Sequence, residues 1–542
     1  MKSIIIGMAL LCLGMGHAQI EEWIARYEPG STAEAIAVDN SGNVYVCGYG
    51  PGDGTSIDYI TIKYNSAGDT LWVRYYDGGG SLYDFGQALA IDDAGNVYVT
   101  GRSVASGNYY DIATIKYNGA GVEQWVTRYD GGANDDMGYD IAVDDVGYVY
   151  VTGVAVINGG AHYITIKYDS SGDTAWTATY GGPDSTGCTA YALALDDSGN
   201  VYVTGMGYSS ATFRDYTTIK YDTSGTEEWV AVYNGLTTYA DDEAYDIKYE
   251  GGYVYVTGES ENASYDPDYF TIKYTNTGDT VWTARYNGPG DGYDRAYALA
   301  VDNYGNIYVT GESFDTYTSV DYVTIKYNSS GGIEWTARYN GPDSAGDQAN
   351  AIVVDNIGNV YVTGNSYAYE PYTPENDYLT VKYNSSGVEQ WNARYDGTGH
   401  TQDYAYAIAV DNAGFVYVTG GSTGNTSYED FLTIKYTVTG IEEVTAPIKQ
   451  KTRLCVNPNP FRNLTTIYFN IEHSAKSIEL RIYDISGRLV RDLKCAMPHA
   501  PYTAQISWDG TDQAHRRLPS GVYFLRLKAG DLQLMEKLLL MR

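Results

Sequence analysis

Residues able to do chemistry are scattered in this sequence. Of its 6 histidines, His17 is near the N-terminus and His473, His499 and His515 are near the C-terminus. His162 and His400 remain, neither with a partner at metal-ligand spacing. Of its 5 cysteines, Cys12 lies in the N-terminal stretch, and Cys47, Cys188, Cys455 and Cys495 show no C-x-x-C spacing. No metal site is expected from them, and a Cys455–Cys495 disulfide is left open. No G-x-S-x-G elbow, phosphate loop or zinc-protease helix is present, so no catalytic or cofactor-binding residue is assigned. The 68 Asp and Glu become a glycosidase pair only if the fold sets two of them roughly 5–10 Å apart. Tyrosine is abundant at 58 residues, and Tyr367, Tyr369 and Tyr372 fall in the longest insertion, residues 365–376. Aromatic faces beside amides and carboxylates can stack on sugars or grip peptides, so these three form the candidate ligand-contact loop.

The compartment is written at the N-terminus. Lys2, the apolar run Ile4 to Leu13 and the small-x-small site Gly16-His17-Ala18 have the layout of a secretory signal peptide over residues 1–18, cleaved near Ala18. That run is too short to span a bilayer, and no other segment is long and apolar enough, so no transmembrane segment is expected in the mature chain. From Gln19 to Glu443 there are 18 Lys and Arg against 60 Asp and Glu; from Val444 to Arg542 there are 15 against 8. The strongly acidic part repels nucleic acid and anionic lipid. A secreted or outer-surface monomer is expected.

Any functional group is positioned by a repeat. Thr-Ile-Lys-Tyr, or a close variant, recurs with its lysine at Lys63, Lys116, Lys167, Lys220, Lys273, Lys326, Lys382 and Lys435, at intervals of 53, 51, 53, 53, 53, 56 and 53 residues. Tryptophan follows nine positions later at Trp72, Trp125, Trp176, Trp229, Trp282, Trp335 and Trp391, but Val444 stands at the eighth such position. Each unit holds four short alternating runs bounded by turn residues, such as Ala298 to Asp302, Ile307 to Gly311, Tyr322 to Tyr327 and Trp335 to Tyr339. Four strands per unit with no helical stretch predict propeller blades. The missing fourth strand is found at the other end, where Glu21 to Tyr27 copies Glu389 to Tyr395 with no blade before it. The expectation is an all-β, eight-bladed β-propeller of four-stranded blades, with the N-terminal strand closing the last blade and covering its open edge.

Within the repeat, Asp302-Asn303-Tyr304-Gly305-Asn306 and its counterparts read as hairpin turns. A calcium site would need several carboxylates converging in one loop, and each turn offers too few, so no cofactor is evident. The tryptophans read as core. The repeated lysines read as buried ammoniums paired with the preceding aspartates, Asp58, Asp215, Asp268, Asp321, Asp377 and Asp430.

Copies of Asp-x-x-Gly-Asn-Val-Tyr-Val-Thr-Gly followed by Asp-Tyr-x-Thr-Ile-Lys-Tyr make the region from Trp23 to Tyr436 resemble bacterial β-propeller repeats of the SBBP type. Beyond it a basic, proline-containing linker leads into about seven short strands, the pattern of an immunoglobulin-like sandwich. This module resembles type IX secretion (Por) sorting domains and the FlgD-type Ig-like fold, through Asn457, Pro458, Asn459, Pro460, Asp484, Gly487, Arg488, Gly521 and Tyr523 with their neighbours. The resemblance implies an export address whose partner is the type IX secretion machinery. The expected domains are the signal peptide 1–18, the propeller 19–443, the linker 444–453 and the sorting domain 454–542. The expected function is a secreted or cell-surface binding scaffold for an extracellular protein or glycan. A carbohydrate-active enzyme or lectin, and a structural cell-envelope component, are the alternatives.

Overall fold

Runs of β-branched and aromatic residues alternating with small or polar ones favour strands, and Asp, Asn and Gly between them favour tight turns. The computed structural model describes residues 20–541 apart from 28–29, 53–55, 80–81, 105–108, 133, 186, 237–238, 317–318, 342–344, 371–372, 398–399, 425–428, 438–452, 458–460, 462–464, 472–477, 486, 494–501, 515 and 530–531. The signal peptide 1–18 and most of the linker 444–453 lie outside the described residues. The chain forms two compact units, Met1–Gly440 and Ile441–Arg542. Among the described residues every regular element is a strand, and no helix is long and apolar enough to cross a membrane.

The first unit is eight four-stranded antiparallel sheets. Blades 1 to 7 are each built from four consecutive strands; blade 6, for example, comprises Asp294–Val301, Ile307–Asp315, Ser319–Tyr327 and Ile333–Tyr339. Blade 8 has Asp403–Val410, Val416–Thr423 and Glu429–Thr437, and takes its outer strand from Ile20–Tyr27. Trp23 lies opposite Lys435 in that pairing. The first strand of each blade touches the first strand of the next, and that of blade 8 touches that of blade 1. Blades 8 and 1 also share a buried cluster in which Tyr417 and Phe431 meet Val44, Val46 and Ile62.

The Asp-x-x-Gly turns are built as the sequence implies. Asp302 Oδ1 accepts from the amides of Tyr304 and Asn306, while Oδ2 accepts from Asn306 Nδ2 and Tyr308 Oη. Blade 5 lacks the aspartate and turns on Gly251 and Gly252, both at positive φ.

Blades are joined by the outer hairpin, and here the tryptophans depart from the expectation of a plain core. Of the propeller tryptophans only Trp72 and Trp391 are buried; the others are half-buried. From Trp23 to Trp335 each docks on the glycine of the next blade's outer turn, Trp229 on Gly278 and Trp282 on Gly331, while the turn that would face Trp391 lies outside the described residues. The turn carbonyl beside that glycine accepts two donors from the preceding blade. Asn276 O takes Trp229 Nε1 at 3.1 Å and Lys220 Nζ at 3.2 Å. All the repeated lysines except the half-buried Lys116 are thus buried, but their partners are these carbonyls, tyrosine faces such as Tyr45 under Lys63 at 4.7 Å, and glutamates such as Glu22 for Lys435 at 2.7 Å. Gly278 has φ +87°, and a β-carbon there would lie 2.8 Å from Trp229 Cδ2. Gly278→Ala therefore combines a disfavoured backbone with a displaced indole. A loss of about 2–4 kcal/mol is expected in urea unfolding.

Four of the six aspartates expected to hold the lysines, Asp268, Asp321, Asp377 and Asp430, pair instead with arginines of the outer strand, and Asp215 accepts from Thr212 Oγ1 at 2.6 Å. Arg285 reaches Asp268 at 2.9 Å, Arg338 reaches Asp321 at 2.7 Å and Arg26 reaches Asp430 at 3.0 Å. Asp268 and Lys273 are five residues apart on one strand, so they point to opposite faces. Arg285 lies opposite Phe270 and shares the face of Asp268.

In the second unit, Arg453–Asn457, Thr465–Ile471 and Tyr502–Trp508 form one sheet. Leu489–Asp492, Ile478–Asp484, Gly521–Ala529 and Leu532–Leu540 form the other. Ile467, Leu480, Ile482, Trp508, Leu525 and Leu538 make its core, an Ig-like sandwich.

Candidate functional site

The eight inner strands converge on an axis, and each carries a bulge at the same point, where one residue is inserted after an alanine or glycine. The inserted residues are Glu34, Gln87, Tyr139, Tyr191, Tyr245, Tyr297, Asn350 and Tyr406, all half-buried. Tyr139, Tyr191, Tyr245 and Tyr297 pass ring to ring from blade 3 to blade 6, with centroids 6.0, 6.0 and 5.7 Å apart. Above this arc, on the side of the hairpins between second and third strands, charged residues form a rim. Arg295 binds Glu259 at 2.5 Å and Glu312 at 3.4 Å, Arg214 binds Glu243, and Tyr297 donates to Glu312 at 2.8 Å. Burial raises the Glu259 carboxyl, and Arg295 opposes that shift.

Below the arc, Asp246 Oδ1 pairs with Lys248 Nζ at 2.7 Å, while Oδ2 accepts from the amide of Leu299 in the next blade at 2.8 Å. Asp140 does the same for Leu193 at 2.9 Å, and burial pushes its carboxyl up to about 6. These two aspartates staple neighbouring inner strands through an amide of the next blade's edge strand, a structural use of charge.

Beside the rim, between blades 6 and 7, lies a cavity of ≈470 Å³ whose lining includes Glu312, Gln348, Asn365, Tyr367 and Asn376. Tyr367 is thus brought to a concave, amide-rich surface. Asn365 donates to Asn376 at 3.2 Å, and Asn376 donates to Gln402 at 2.6 Å and Tyr404 at 3.3 Å. The insertion expected to be a loop is an extended hairpin, Val360–Glu370 paired with Thr373–Tyr383. It lengthens two strands because its residues keep the period-2 pattern of the blade. Tyr369 is opposite Pro374 in that hairpin; its side chain and all of Tyr372 lie outside the described residues.

The turn motifs do not gather carboxylates, but the blade junctions do. Asp58, Asp77 and Asp84, then Asp111, Asp130 and Asp136, then Asp377, Asp396 and Asp403 each bring oxygens within 4.8 Å of one another, and Glu375, Asp396 and His400 do likewise. His400, which seemed isolated along the chain, has Nδ1 2.6 Å from Asp396 Oδ2. A divalent cation would find its oxygen ligands at these junctions, although Arg128 and Arg394 already neutralise Asp111 and Asp377.

In the second unit, Asp484, Arg488, Gly521 and Tyr523 line one small cavity of ≈250 Å³. Asp484 Oδ2 accepts from Arg488 Nε at 3.0 Å across a turn that Gly487 closes at φ +80°. Tyr523 donates to Pro519 O at 2.8 Å and packs on Trp508. Asn457 ends the strand Arg453–Asn457. Pro458, Asn459 and Pro460 lie outside the described residues, as does the Cys455–Cys495 pairing; Cys47 and Cys188 are free and buried.

Residues 71–107, 124–158, 281–313 and 392–426 match the Beta-propeller repeat family, and residues 462–532 match the FlgD Ig-like domain. The chain carries SBBP-type propeller repeats and a FlgD Ig-like domain. No curated protein matches it in sequence. Among solved structures it is similar to PorZ of Porphyromonas gingivalis, described as an essential bacterial surface component of the type IX secretion system. That match has 12% identity and a TM-score of 0.20, over 96% of this chain and 100% of that one. It is similar also to the Xanthomonas campestris gluconolactonase XC5397, with 13% identity and a TM-score of 0.28 over 54% of this chain and 90% of that one. A protein of unknown function from Dyadobacter fermentans matches at 10% identity and a TM-score of 0.37, over 78% of this chain and 100% of that one. The four stretches matched by the repeat family fall within the eight four-stranded sheets of the first unit.

The tyrosine arc escaped sequence reasoning, yet it left a signal. In six of the eight inner strands one variable residue is framed by small ones, as in Ala190-Tyr191-Ala192, Ala296-Tyr297-Ala298 and Ala33-Glu34-Ala35, and in the other two an aspartate follows it, as in Gly138-Tyr139-Asp140 and Ala244-Tyr245-Asp246.

Proposed function

We propose that the protein is a secreted binding scaffold displayed at the cell surface, whose Ig-like module is its export address to the type IX secretion machinery. The observation that carries the binding reading is the continuity of the axial tyrosine arc and its charged rim with the amide-lined cavity at Tyr367. Concave sites combining aromatic faces with a few fixed polar groups are the usual seats of ligands. The rim glutamates of blades 5 and 6 are held by arginines, which suits fixed recognition better than proton transfer. The export reading is supported by the motif resemblance and by the clustering of Asp484, Arg488, Gly521 and Tyr523.

The test has two arms. The full mature chain is applied to glycan and peptide arrays, and any ligand found is titrated against Tyr367→Ala and Asn365→Ala. Each is expected to weaken binding at least about tenfold, ~1.4 kcal/mol. Silence on both arrays would overturn the binding reading. In the second arm, removal of Leu454 to Arg542 is expected to leave a folded propeller inside the producing cell; its undiminished appearance outside would overturn the address.

A further inference from the structure

The rim of the axial mouth is not uniform. In blades 5 and 6 Glu243, Glu259 and Glu312 have arginine partners. Across the mouth, Glu34 from the bulge of blade 1 and Glu429 from the third strand of blade 8 repel one another, and among the described residues neither has a cation within ion-pair distance. Glu429 is fixed rather than swinging free, since Thr32 Oγ1 donates to its Oε2 at 3.1 Å. Room for it comes from Gly421, where a β-carbon would collide with Glu429 Oε2. At that strand position other blades carry Arg102, Glu259, Glu312 and Asn365.

The walls of this corner are aromatic. Tyr404 and Tyr406 lie 6.1 Å apart and nearly parallel, and Tyr49, opposite Thr32, has its ring 4.8 Å from Phe85. Tyr49, Tyr404 and Tyr406 all lie within electrostatic reach of these carboxylates, and a cation among them would be attracted by the two like charges and by the ring quadrupoles. Arg102 does not fill it; its guanidinium stacks on Phe85 at 4.6 Å and Tyr110 at 5.1 Å.

We propose that the corner formed by Glu34, Glu429, Tyr49, Tyr404 and Tyr406 is a seat for a primary ammonium group, carried by a lysine side chain of a peptide ligand. The proposal deepens the binding reading above and rests on it. The ammonium competes with a proton. Burial first, then Glu429, push the Glu34 carboxyl up to about 7, with the Tyr49 hydrogen bond and Arg102 acting the other way. The remaining titratable neighbours are Tyr406 and the buried Cys47 thiol, both held in their neutral forms by burial. Below pH 7 Glu34 keeps its proton, and above it the ligand ammonium takes the proton's place.

The experiment titrates the full mature chain by calorimetry with Nα-acetyl-lysine amide, its Nε-acetylated counterpart and glucosamine, at pH 6 and pH 8. The variants are Glu34→Gln, Glu429→Gln and, as a remote control, Asp173→Asn, with thermal melts to show that each is folded. Lysine amide is expected to bind about tenfold tighter at pH 8 than at pH 6, the change in ionised fraction of a group titrating near 7. Either glutamine variant should lose at least about tenfold of that affinity, and the Nε-acetylated ligand should not bind. No binding of lysine amide to the wild-type chain, or undiminished binding to a folded Glu34→Gln or Glu429→Gln chain, would overturn the seat. Binding of glucosamine alone with the same dependence would overturn the peptide as carrier. If the seat fails while array binding still depends on Tyr367, the general binding reading stands.

Discussion

Deletion of Ile20–Tyr27 is expected to remove at least about 6 kcal/mol from the propeller, enough to unfold most domains of ordinary stability. The strand is the outer edge of blade 8, paired from Glu21 opposite Tyr436 to Tyr27 opposite Phe431. Trp23 is wedged between the two blades that meet there, 6.0 Å from Tyr64 of blade 1 and 6.1 Å from Tyr417 of blade 8, and its indole donates to Ser66 O. Loss of such a ring costs roughly 3–5 kcal/mol. Arg26 neutralises Asp430, a carboxylate 1% exposed. An uncompensated buried charge costs roughly another 3–5 kcal/mol. Urea unfolding should show Trp23→Ala losing about half of what the deletion loses. A permuted chain that starts at Ser31 and carries residues 20–27 behind the strand Glu429–Thr437 should recover it, because the other blades make this hairpin in one piece. A deletion chain as stable as the parent would show that the eighth blade does not depend on its N-terminal strand.

The second large effect is a loss of stability as pH rises. At the blade junctions, Asp136, Asp294, Asp347, Asp377 and Asp403 are each pushed up to about 6, in every case chiefly by burial, with a facing aspartate adding to it. All five are at most 1% exposed, and they form four pairs across adjoining blades: Asp136 with Asp111, Asp294 with Asp268, Asp347 with Asp321, and Asp377 with Asp403. In the unfolded chain these groups ionise near 3.9. Between pH 4 and pH 6 the folded state therefore binds more protons than the unfolded one, and its stability falls with pH. Above about pH 7 both states are ionised and the loss is complete. A group that titrates independently over this interval is worth about 3 kcal/mol.

The turn aspartates act with the opposite sign. Asp39 and Asp92 are held below the usual carboxylate range by their hydrogen bonds, so they lose stability only on acidification. The optimum should lie near pH 4–5, and the net charge of −34 works in the same direction by adding repulsion at higher pH. The urea midpoint should be higher at pH 5 than at pH 8, and Asp347→Asn, neutral throughout, should gain at pH 8 and not at pH 5. A midpoint that rises from pH 5 to pH 8 would contradict the protonated-pair account.

Much of this molecule was legible along the chain. The spacing of Thr-Ile-Lys-Tyr to tryptophan, the Asp-x-x-Gly turns and the stray copy Glu21 to Tyr27 were enough for four strands per blade, eight blades and an N-terminal strand in the last one. These features are local, since period-2 alternation and turn chemistry act within a few residues. The sequence also carried the motif residues of the C-terminal module, four of which fold into one small cavity. Pairing of charges was misread, because Asp268 and Lys273 are neighbours in sequence but face opposite sides of their strand. Only the tertiary structure assembled the axial mouth. Its residues occur once per repeat, so Tyr191, Tyr245 and Tyr297 meet only when the bulges of successive blades are stacked around one axis. Glu34 and Glu429, at opposite ends of the propeller sequence, become neighbours because the last blade packs against the first.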